Sequence, residues 1–446
     1  MKSNSIIKNS ILSLLFTIPV LNIFLSKNPS SMYIFEIFLI YFLFILIPLL
    51  FMNKNLSESG GLIDISFWAF IYVFFGVAFI TQLSNLELPW IEIQSYSNHL
   101  LKAISLISLG CFTFTIGRYS NLRFRFTKRR LSLERIDKLF LFSLGIATLI
   151  FIIIGFEKMI FPRALFIYTV QNHPLRVIID LLLVMINTSF FVCLISYLEF
   201  YKKEKLSLVK WYFFLFIMFL IFNPLRTERL IVLMYISVLF LYKLKNDNVS
   251  WMTAVTLGLV LIFPFTDFFR GEAIFVSGIF GESYVGYIDN ILDGDFDPAA
   301  SLLLSIEYVS DKSIMYGENI LLAIFGFIPR SIWISKPSQS GYVLTEHANL
   351  YFQNIGVNLW AEFYLAFGIL GIAILFYILG ILVKNITASR NKNEFFYVLY
   401  IYLTVFFIFF LRGDILQVFF KTAPFILFLL FVTRKEREEI VSSFPK

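Results

Sequence analysis

Residues 357–383 read VNLWAEFYLAFGILGIAILFYILGILV, an apolar run in which Glu362 is the single charged residue. About 20 consecutive apolar residues in a helix cross the ~30 Å hydrocarbon core of a bilayer. A run of this length therefore predicts a membrane-spanning helix, and it places one carboxylate near an end of that helix.

Composition excludes a soluble globular protein. The chain of 446 residues is 59% hydrophobic and 15% charged and contains 56 Phe, with a mean hydropathy of +0.80. Similar apolar runs recur along the whole sequence, which predicts an all-α polytopic transmembrane helix bundle of about 12 spans. The predicted spans are approximately 11–25, 33–52, 64–83, 99–119, 138–156, 176–199, 208–223, 229–243, 252–266, 357–383, 396–411 and 415–432.

Basic residues set the predicted orientation. Lys and Arg concentrate in loops on the cytoplasmic side of membrane proteins. With a cytoplasmic N-terminus, the cytoplasmic segments hold about 24 of the 37 Lys and Arg residues, and both termini are cytoplasmic. The largest contribution comes from residues 118–138. We interpret this run as a topology anchor, with a specific anionic-lipid site as the alternative.

The spans divide the chain into three predicted parts. Residues 1–266 hold the first nine spans, residues 267–356 form a large extracytoplasmic loop, and residues 357–446 hold the last three spans and a cytoplasmic tail. A connection this long is uncommon and usually functional. Its apolar stretch 320–328 is too short to span and predicts an interfacial or re-entrant helix.

A short polar segment between two apolar runs places two arginines near the outer membrane surface. Asn223 suits an N-cap and Pro224 a first helical position, so Arg226 and Arg229 are expected on one face of the helix that follows. Charged groups at this depth are expensive and usually functional. This segment predicts an anion site, with neutralisation by Glu228 in a structural network as the alternative.

A second tight connection repeats this arrangement. Arg412-Gly413-Asp414 separates two apolar runs, and Arg270 follows the ninth span. Guanidinium groups suit phosphate and diphosphate, so the implied ligand is an anionic head group, most simply a lipid-linked phosphate. For the neighbouring carboxylates, charge pairing is the alternative to catalysis; these are Asp267, Glu272 and Asp414.

The long loop supplies further candidates. Arg330 and Lys336 are candidate phosphate ligands, and Trp333 is a candidate for stacking on a sugar. His347 and Glu362 compete for the role of general base.

The sequence gives little indication of a metal site. The segment DGDFD at residues 293–297 lacks the Gly and Glu positions of a calcium loop, so we expect a solvated acidic turn. No zinc motif, phosphate-binding glycine loop or serine-nucleophile elbow occurs.

Three sequence motifs of this chain together resemble those of a known protein family. IPRSIWISKP at 328–337, GVNLWAEFYLAFGILG at 356–371 and LRGD at 411–414 resemble the Wzy-type O-antigen or oligosaccharide repeat-unit polymerases. The resemblance implies a GT-C-like glycosyltransferase of the bacterial inner membrane that acts at the outer leaflet without a metal or other cofactor. It would transfer an undecaprenyl-diphosphate-linked oligosaccharide onto another lipid-linked repeat unit.

The resemblance carries over to single positions. The matching ones are Arg330, Lys336, Glu362 and Arg412, whereas Arg226, Arg229 and Arg270 rest on the physical argument and on similar outward arginines in the family. The implied partners are the lipid-linked donor and acceptor, membrane lipids and a chain-length regulator protein, with no nucleic acid. Two alternatives stay open: an O-antigen ligase, because His347 and Asn349 resemble a ligase pattern, and a flippase or transporter.

Overall fold

A computed structural model describes residues 2–26, 32–56, 61–155, 163–223, 227, 229–243, 247–264, 287–353 and 355–436. The described chain is almost entirely helical, and its strands pair only as two short antiparallel ladders. The all-α class predicted from the sequence is confirmed.

Nine helices among the described residues are long and apolar enough to cross a membrane. The first six and the last three predicted spans each coincide with one of them. The other three predicted spans are shorter apolar helices, of which Leu208–Ile221 has 14 residues. A helix of that length rises only about 21 Å, less than the hydrocarbon thickness. The chain is thus a multi-pass membrane protein with at least nine candidate spans in the described part.

The helices, numbered in chain order, are α1 (Lys2–Leu25), α2 (Ile34–Asn55), α3 (Leu62–Asn85), α4 (Leu100–Tyr119), α5 (Leu133–Ile154), α6 (Arg163–Gln171), α7 (Arg176–Lys202), α8 (Leu208–Ile221), α9 (Arg229–Lys243), α10 (Asn248–Ile262), α11 (Tyr287–Leu292), α12 (Pro298–Asp311), α13 (Glu318–Phe325), α14 (Ser340–His347), α15 (Leu359–Ser389), α16 (Glu394–Arg412) and α17 (Ile415–Val432). The strands are β1 (Glu87–Leu88), β2 (Ile91–Glu92), β3 (Arg129–Leu131) and β4 (Thr433–Lys435).

The chain forms two compact units. The first comprises Met1–Ser120, Leu239–Val383 and Leu403–Phe420, and the second comprises Asn121–Val238, Lys384–Tyr402 and Lys421–Lys446.

Helix α3 forms the centre of the first unit, because its membrane-length segment is completely buried. Its polar side chains hydrogen-bond groups on other segments of this unit. Ser66 Oγ donates to the carbonyl of Thr404, and Gln82 Nε2 donates to the carbonyls of Ile291 and Phe296. This buried, mostly apolar helix therefore contacts its surroundings through a few specific hydrogen bonds as well as through packing.

Helices α4 and α15 lie in direct backbone contact. A Cβ atom at Gly117 would lie 2.2 Å from the carbonyl oxygen of Tyr377, and one at Gly380 would lie 2.2 Å from that of Phe114. Small residues permit such close approach between membrane helices. Trp360, fully buried near the start of α15, packs against Phe376 at a tilted angle, with ring centroids 4.3 Å apart. The glycine contacts thus hold the second half of α15 against α4, and the Trp360 contact packs its first turn against its own later part.

Helix α15 is broken near its start. Phe367 has φ −143° and Gly368 has φ +63°, a left-handed conformation that glycine adopts readily. The break releases the carbonyls of Leu365 and Ala366, which accept hydrogen bonds from the amides of Met315 and Gly317 at 2.7 and 3.0 Å. The predicted short helix of the loop, observed as α13, is thereby held against α15.

The second unit contains the packed pair α5 and α7. Phe140 of α5 contacts Phe190 of α7 edge to face, with ring centroids 5.8 Å apart. Part of the basic run at 118–138 forms strand β3, which pairs antiparallel with β4 so that Arg129 lies opposite Lys435.

Candidate active site

A buried carboxylate occupies the first turn of α15 in the first unit. Glu362 has no solvent exposure. Its Oε2 accepts hydrogen bonds from Asn319 Nδ2 at 2.6 Å and from Ser340 Oγ at 2.9 Å. Asn319 comes from α13 and Ser340 begins α14, so two helices of the long loop converge on this carboxylate.

A second carboxyl group, that of Asp414, belongs to the same cluster. Asp414 Oδ1 accepts the amide of Leu416 at 2.7 Å, and Glu362 Oε1 accepts the amide of Ile415 at 3.3 Å. Both carboxylates therefore bind free amides of the first turn of α17, where the helix dipole favours negative charge. Burial raises the pKa of Asp414. The two carboxyl groups also interact electrostatically with each other.

Two oxygens of this cluster make no hydrogen bond of normal geometry within the described part of the chain, although the Gln339 side chain and the Gln417 amide also lie near the Asp414 carboxyl group. They are Asp414 Oδ2 and Asn319 Oδ1, on side chains that are each 2% exposed. Buried acceptors are rarely left without a hydrogen bond, because desolvation is costly. The cluster can therefore accept hydrogen bonds from a ligand hydroxyl.

Arg412, at the end of α16, lies against the acidic turn. Its Nε donates to Asp297 Oδ1 at 3.2 Å, and its Nη2 donates to the carbonyl of Gly294 at 3.0 Å and to Asp295 Oδ1 at 3.4 Å. Its side chain is 25% exposed. No described residue supplies a hydrogen-bond partner for Nη1, so this nitrogen has two N–H groups for an external acceptor.

The prediction of a solvated acidic turn is wrong for two of its three aspartates. Asp293 is exposed, but Asp295 and Asp297 are only 9% and 2% exposed. These two side chains pair with a guanidinium from a segment more than one hundred positions away. Burial raises the pKa of Asp297 to about 6, although the Arg412 charge lowers it. Arg412, the predicted cation, thus lies beside two carboxylates, which reduce the positive potential around its guanidinium.

Asn358 joins this turn to the start of α15. Its Oδ1 accepts the amides of Trp360 and Ala361, and its Nδ2 donates to the carbonyl of Pro298 at 2.7 Å and to Ser301 Oγ at 2.9 Å. An asparagine before a helix caps it through such bonds. One buried side chain therefore holds α12 and α15 together.

Replacing Asn358 with alanine should destabilise the protein. The change removes a helix cap and leaves buried acceptors unpaired, and we expect the free energy of unfolding to fall by about 2 kcal/mol. Unfolding of the purified protein in mixed micelles with increasing SDS measures this difference. Asn121, exposed in the second unit, gives the control, and its alanine variant should match the unsubstituted protein. Equal stability of both variants would contradict the capping role.

Arg330 and Lys336, the two candidate cations of the long loop, hydrogen-bond backbone carbonyls of their own segment. The Arg330 guanidinium donates to the carbonyls of Lys336 and Pro337 at 2.8 and 3.4 Å, and Lys336 Nζ donates to those of Gly326 and Ile328 at 2.6 and 3.0 Å. Arg330 is exposed and retains further N–H groups, whereas Lys336 and Trp333 are half-buried. These bonds stabilise the turn after α13, and a phosphate contact by either cation stays a prediction.

His347 lies away from the buried carboxyl groups. Its Nε2 is 3.3 Å from Asp311 Oδ2, and its ring contacts Tyr308 edge to face. Ser340, which bonds Glu362, is at the opposite end of α14, about 10 Å along the helix. Among the two predicted bases, Glu362 is the one in the cluster.

The remaining predicted arginines are only partly described. Arg226 and Arg270 lie outside the described residues, and Arg229 begins α9 but its side chain is not among those described. Their predicted diphosphate contacts stay predictions.

Sequence reasoning missed the residues that complete the cluster, namely Asn319, Ser340, Asn358, Asp295 and Asp297. Asn358 lies inside the apolar run of residues 357–383. That position was the one signal available, since uncharged polar residues in apolar helices often make buried hydrogen bonds. The other four lie next to or close to other polar residues in the sequence.

Comparison with known proteins identifies no relative. No protein-family model matches the chain, and neither a curated protein nor a solved structure is similar to it. Within the described residues, no group of three His, Cys, Asp or Glu side chains is placed to hold a metal ion.

Proposed function

We propose that this protein is a membrane glycosyltransferase that polymerises lipid-linked oligosaccharide repeat units at the extracytoplasmic face of a bacterial membrane. One observation carries the proposal. The buried Glu362–Asp414 cluster has unpaired acceptor oxygens, and Asp414 is two positions from Arg412, whose Nη1 is available to an acceptor. A site that can accept a hydrogen bond from a sugar hydroxyl and that lies next to a guanidinium suits the transfer of a sugar from a phosphate leaving group to that hydroxyl.

In the proposed reaction, the acceptor hydroxyl oxygen attacks the anomeric carbon of the donor. The bond between that carbon and the diphosphate oxygen breaks, and the diphosphate leaves with the electron pair. The hydroxyl proton passes to the Glu362 carboxylate, where the Ser340 hydroxyl now occupies the position of an acceptor hydroxyl. Arg412 Nη1, with Arg330, binds the diphosphate and stabilises its developing charge. Asp414, which lies at the start of α17, keeps the Glu362 side chain in position.

A proton-coupled transporter of the lipid-linked glycan is the second candidate. The observation that favours it is the complete burial of Glu362, because buried intramembrane carboxyl groups often carry protons in transporters. A transporter needs no access of a sugar hydroxyl to this carboxylate. An O-antigen ligase would use the same chemistry with a different acceptor.

A deletion strain of the native organism tests these functions through the gel pattern of its surface glycan. We expect long chains to disappear while single repeat units remain attached to the acceptor, since only polymerisation is lost. Loss of every attached glycan would instead indicate a ligase or a transporter. Accumulation of lipid-linked units at the inner face then indicates the transporter, and their accumulation at the outer face indicates the ligase.

A further inference from the structure

Helix α13 has apolar side chains on two opposite faces. Leu322 and Ala323 are buried together with Asn319 of the carboxylate cluster. Leu321 and Phe325, one turn apart on the other face, are exposed. A helix that is apolar all round is buried on all sides, in protein or in a membrane. The second face of α13 therefore needs a partner that covers it.

The exposed apolar side chains continue into the turn after α13. Ile334, near the end of this turn, is 87% exposed. Exposed apolar patches of several large side chains mark contacts with a protein or a membrane. We call the six exposed side chains of this segment the outer apolar surface, and they are Leu321, Ile324, Phe325, Phe327, Ile332 and Ile334.

The break in α15 defines the depth of α13 in the membrane. After the break, exposed side chains recur every four residues, as on a helix face that contacts lipid. From Gly368 to the end of the apolar run at Val383, α15 rises about 22 Å. Since the hydrocarbon core is ~30 Å thick, the break lies in its outer part. The exposed side chains of this lipid-facing stripe are Leu370, Ile374, Ile378 and Leu382.

Helix α13 lies across the outer ends of two membrane-spanning helices. Its first end is beside the break in α15, because the amides of Met315 and Gly317 bind the carbonyls released there. Its second end contacts the first turns of α17, since a Cβ atom at Gly326 would lie 2.8 Å from Leu416 Cδ1 and 3.3 Å from the Phe420 ring. Both ends are thus at a similar depth. Helix α13 therefore runs along the outer membrane surface, where the hydrocarbon meets the headgroups.

This position makes lipid the partner of the outer apolar surface. The surface adjoins the lipid-facing stripe of α15, and the sequence has no Asp or Glu between residues 319 and 345. Its charged residues there are Arg330 and Lys336, whose long stems can lie on apolar surroundings while their charges reach the headgroups. Trp333, between two exposed isoleucines, is a residue type enriched at this level.

We infer that the outer apolar surface inserts into the outer leaflet of the bilayer, so that α13 is a membrane-anchored cover of the Glu362 cluster. The buried face of the helix binds the carboxylate through Asn319, while the exposed face contacts lipid. The partner is the bilayer itself, and the inference does not depend on glycosyl transfer.

Spin labelling of the full-length protein in liposomes tests this inference. The two native cysteines, both buried, are replaced by alanine, and a nitroxide is attached to Ile334→Cys or to Ile332→Cys. Oxygen concentrates in hydrocarbon, whereas a nickel chelate stays in water, so the ratio of their collision rates with the label identifies its surroundings. We expect the oxygen-to-nickel ratio at both positions to be several-fold higher than at a position in water.

Two matched positions calibrate the measurement. Leu370→Cys, on the lipid-facing stripe of α15, gives the lipid reference. Glu346→Cys, at an exposed carboxylate of α14 in the same loop, gives the water reference. Neither residue contacts the Glu362 cluster, so the label leaves the cluster in place.

Two outcomes would overturn the inference. Frequent collisions with the nickel chelate at Ile332→Cys and Ile334→Cys, as at Glu346→Cys, would place this surface in water. Rare collisions with both reagents would show that protein covers it, from another part of the chain or from a second copy. If one of the two variants does not fold, the other decides alone. The measurement needs no glycan substrate, so its result is separate from the test of the proposed function.

Discussion

Replacing Glu362 with glutamine is expected to abolish long glycan chains while the protein still inserts into the membrane. Glutamine keeps the shape of the side chain and can still accept hydrogen bonds from Asn319 and Ser340. It cannot take a proton from an attacking hydroxyl. General base catalysis typically contributes 10²- to 10⁴-fold, so we expect transfer to fall by about 10²-fold or more.

The expected structural cost of this change is small. The amide nitrogen of the glutamine would face the amide of Ile415, so the change removes one hydrogen bond, which is already long at 3.3 Å in the native structure. We expect the free energy of unfolding to fall by about 1 kcal/mol. Glycan patterns of a deletion strain complemented with the variant give the activity, and SDS unfolding of the purified variant gives the stability.

The matched control is Glu318→Gln. Glu318 is exposed and precedes Asn319 in α13, so its charge is removed close to the cluster without touching it. This variant should give native chain lengths. Native chain lengths with Glu362→Gln would exclude Glu362 as the base. Loss of glycan export by that variant, with lipid-linked units retained at the inner face, would favour the transporter.

The membrane helices follow directly from hydropathy, because an apolar run has no stable alternative to a helix in lipid. That is why α15 and eight other long helices coincide with predicted spans. The three shorter helices, Leu208–Ile221, Ile231–Lys243 and Asn248–Ile262, show the limit of this reasoning. Hydropathy indicates that a segment lies in apolar surroundings. For a helix shorter than the hydrocarbon core, it does not show whether or how that helix crosses the membrane.

The site was predictable only where a charge interrupts an apolar run. Glu362 and Arg412 stand out for this reason. The partners of Arg412 do not, since Asp295 and Asp297 lie in a polar segment whose local pattern is typical of a solvated turn. Long-range pairing changes their environment completely. The break at Gly368, which exposes the carbonyls that hold α13, likewise has no clear signal, because glycine is frequent in membrane helices.

Arg412→Gln should destabilise the protein in a pH-dependent way. The change removes the cation that contacts Asp295 and Asp297. Loss of one partner from a buried ion pair leaves an uncompensated charge, so we expect the free energy of unfolding to fall by about 3 kcal/mol at pH 7.5. Asp297 is ionised at that pH, because its pKa is about 6.

The direction of the pH effect follows from the raised pKa. Since the folded value of about 6 exceeds the ordinary 3.8, the contribution of Asp297 to stability is complete below pH 3.8 and is lost as the pH rises through 6. Without Arg412, the ionised carboxylate is less favourable still, and Asp297 holds its proton to higher pH. The stability difference between Arg412→Gln and the native protein should therefore be smaller at pH 5 than at pH 7.5. SDS unfolding at both pH values measures it.

The double variant Arg412→Gln, Asp297→Asn separates the structural from the functional role of the guanidinium. Removing the carboxylate should restore most of the stability at pH 7.5, because the buried charge is gone. Chain polymerisation should stay absent, since Nη1 no longer reaches the diphosphate. Arg330→Gln, at an exposed arginine bonded to carbonyls, should show no such pH dependence. If polymerisation returned together with stability, Arg412 would be a structural residue, and diphosphate binding would have to come from other cations of the outer face.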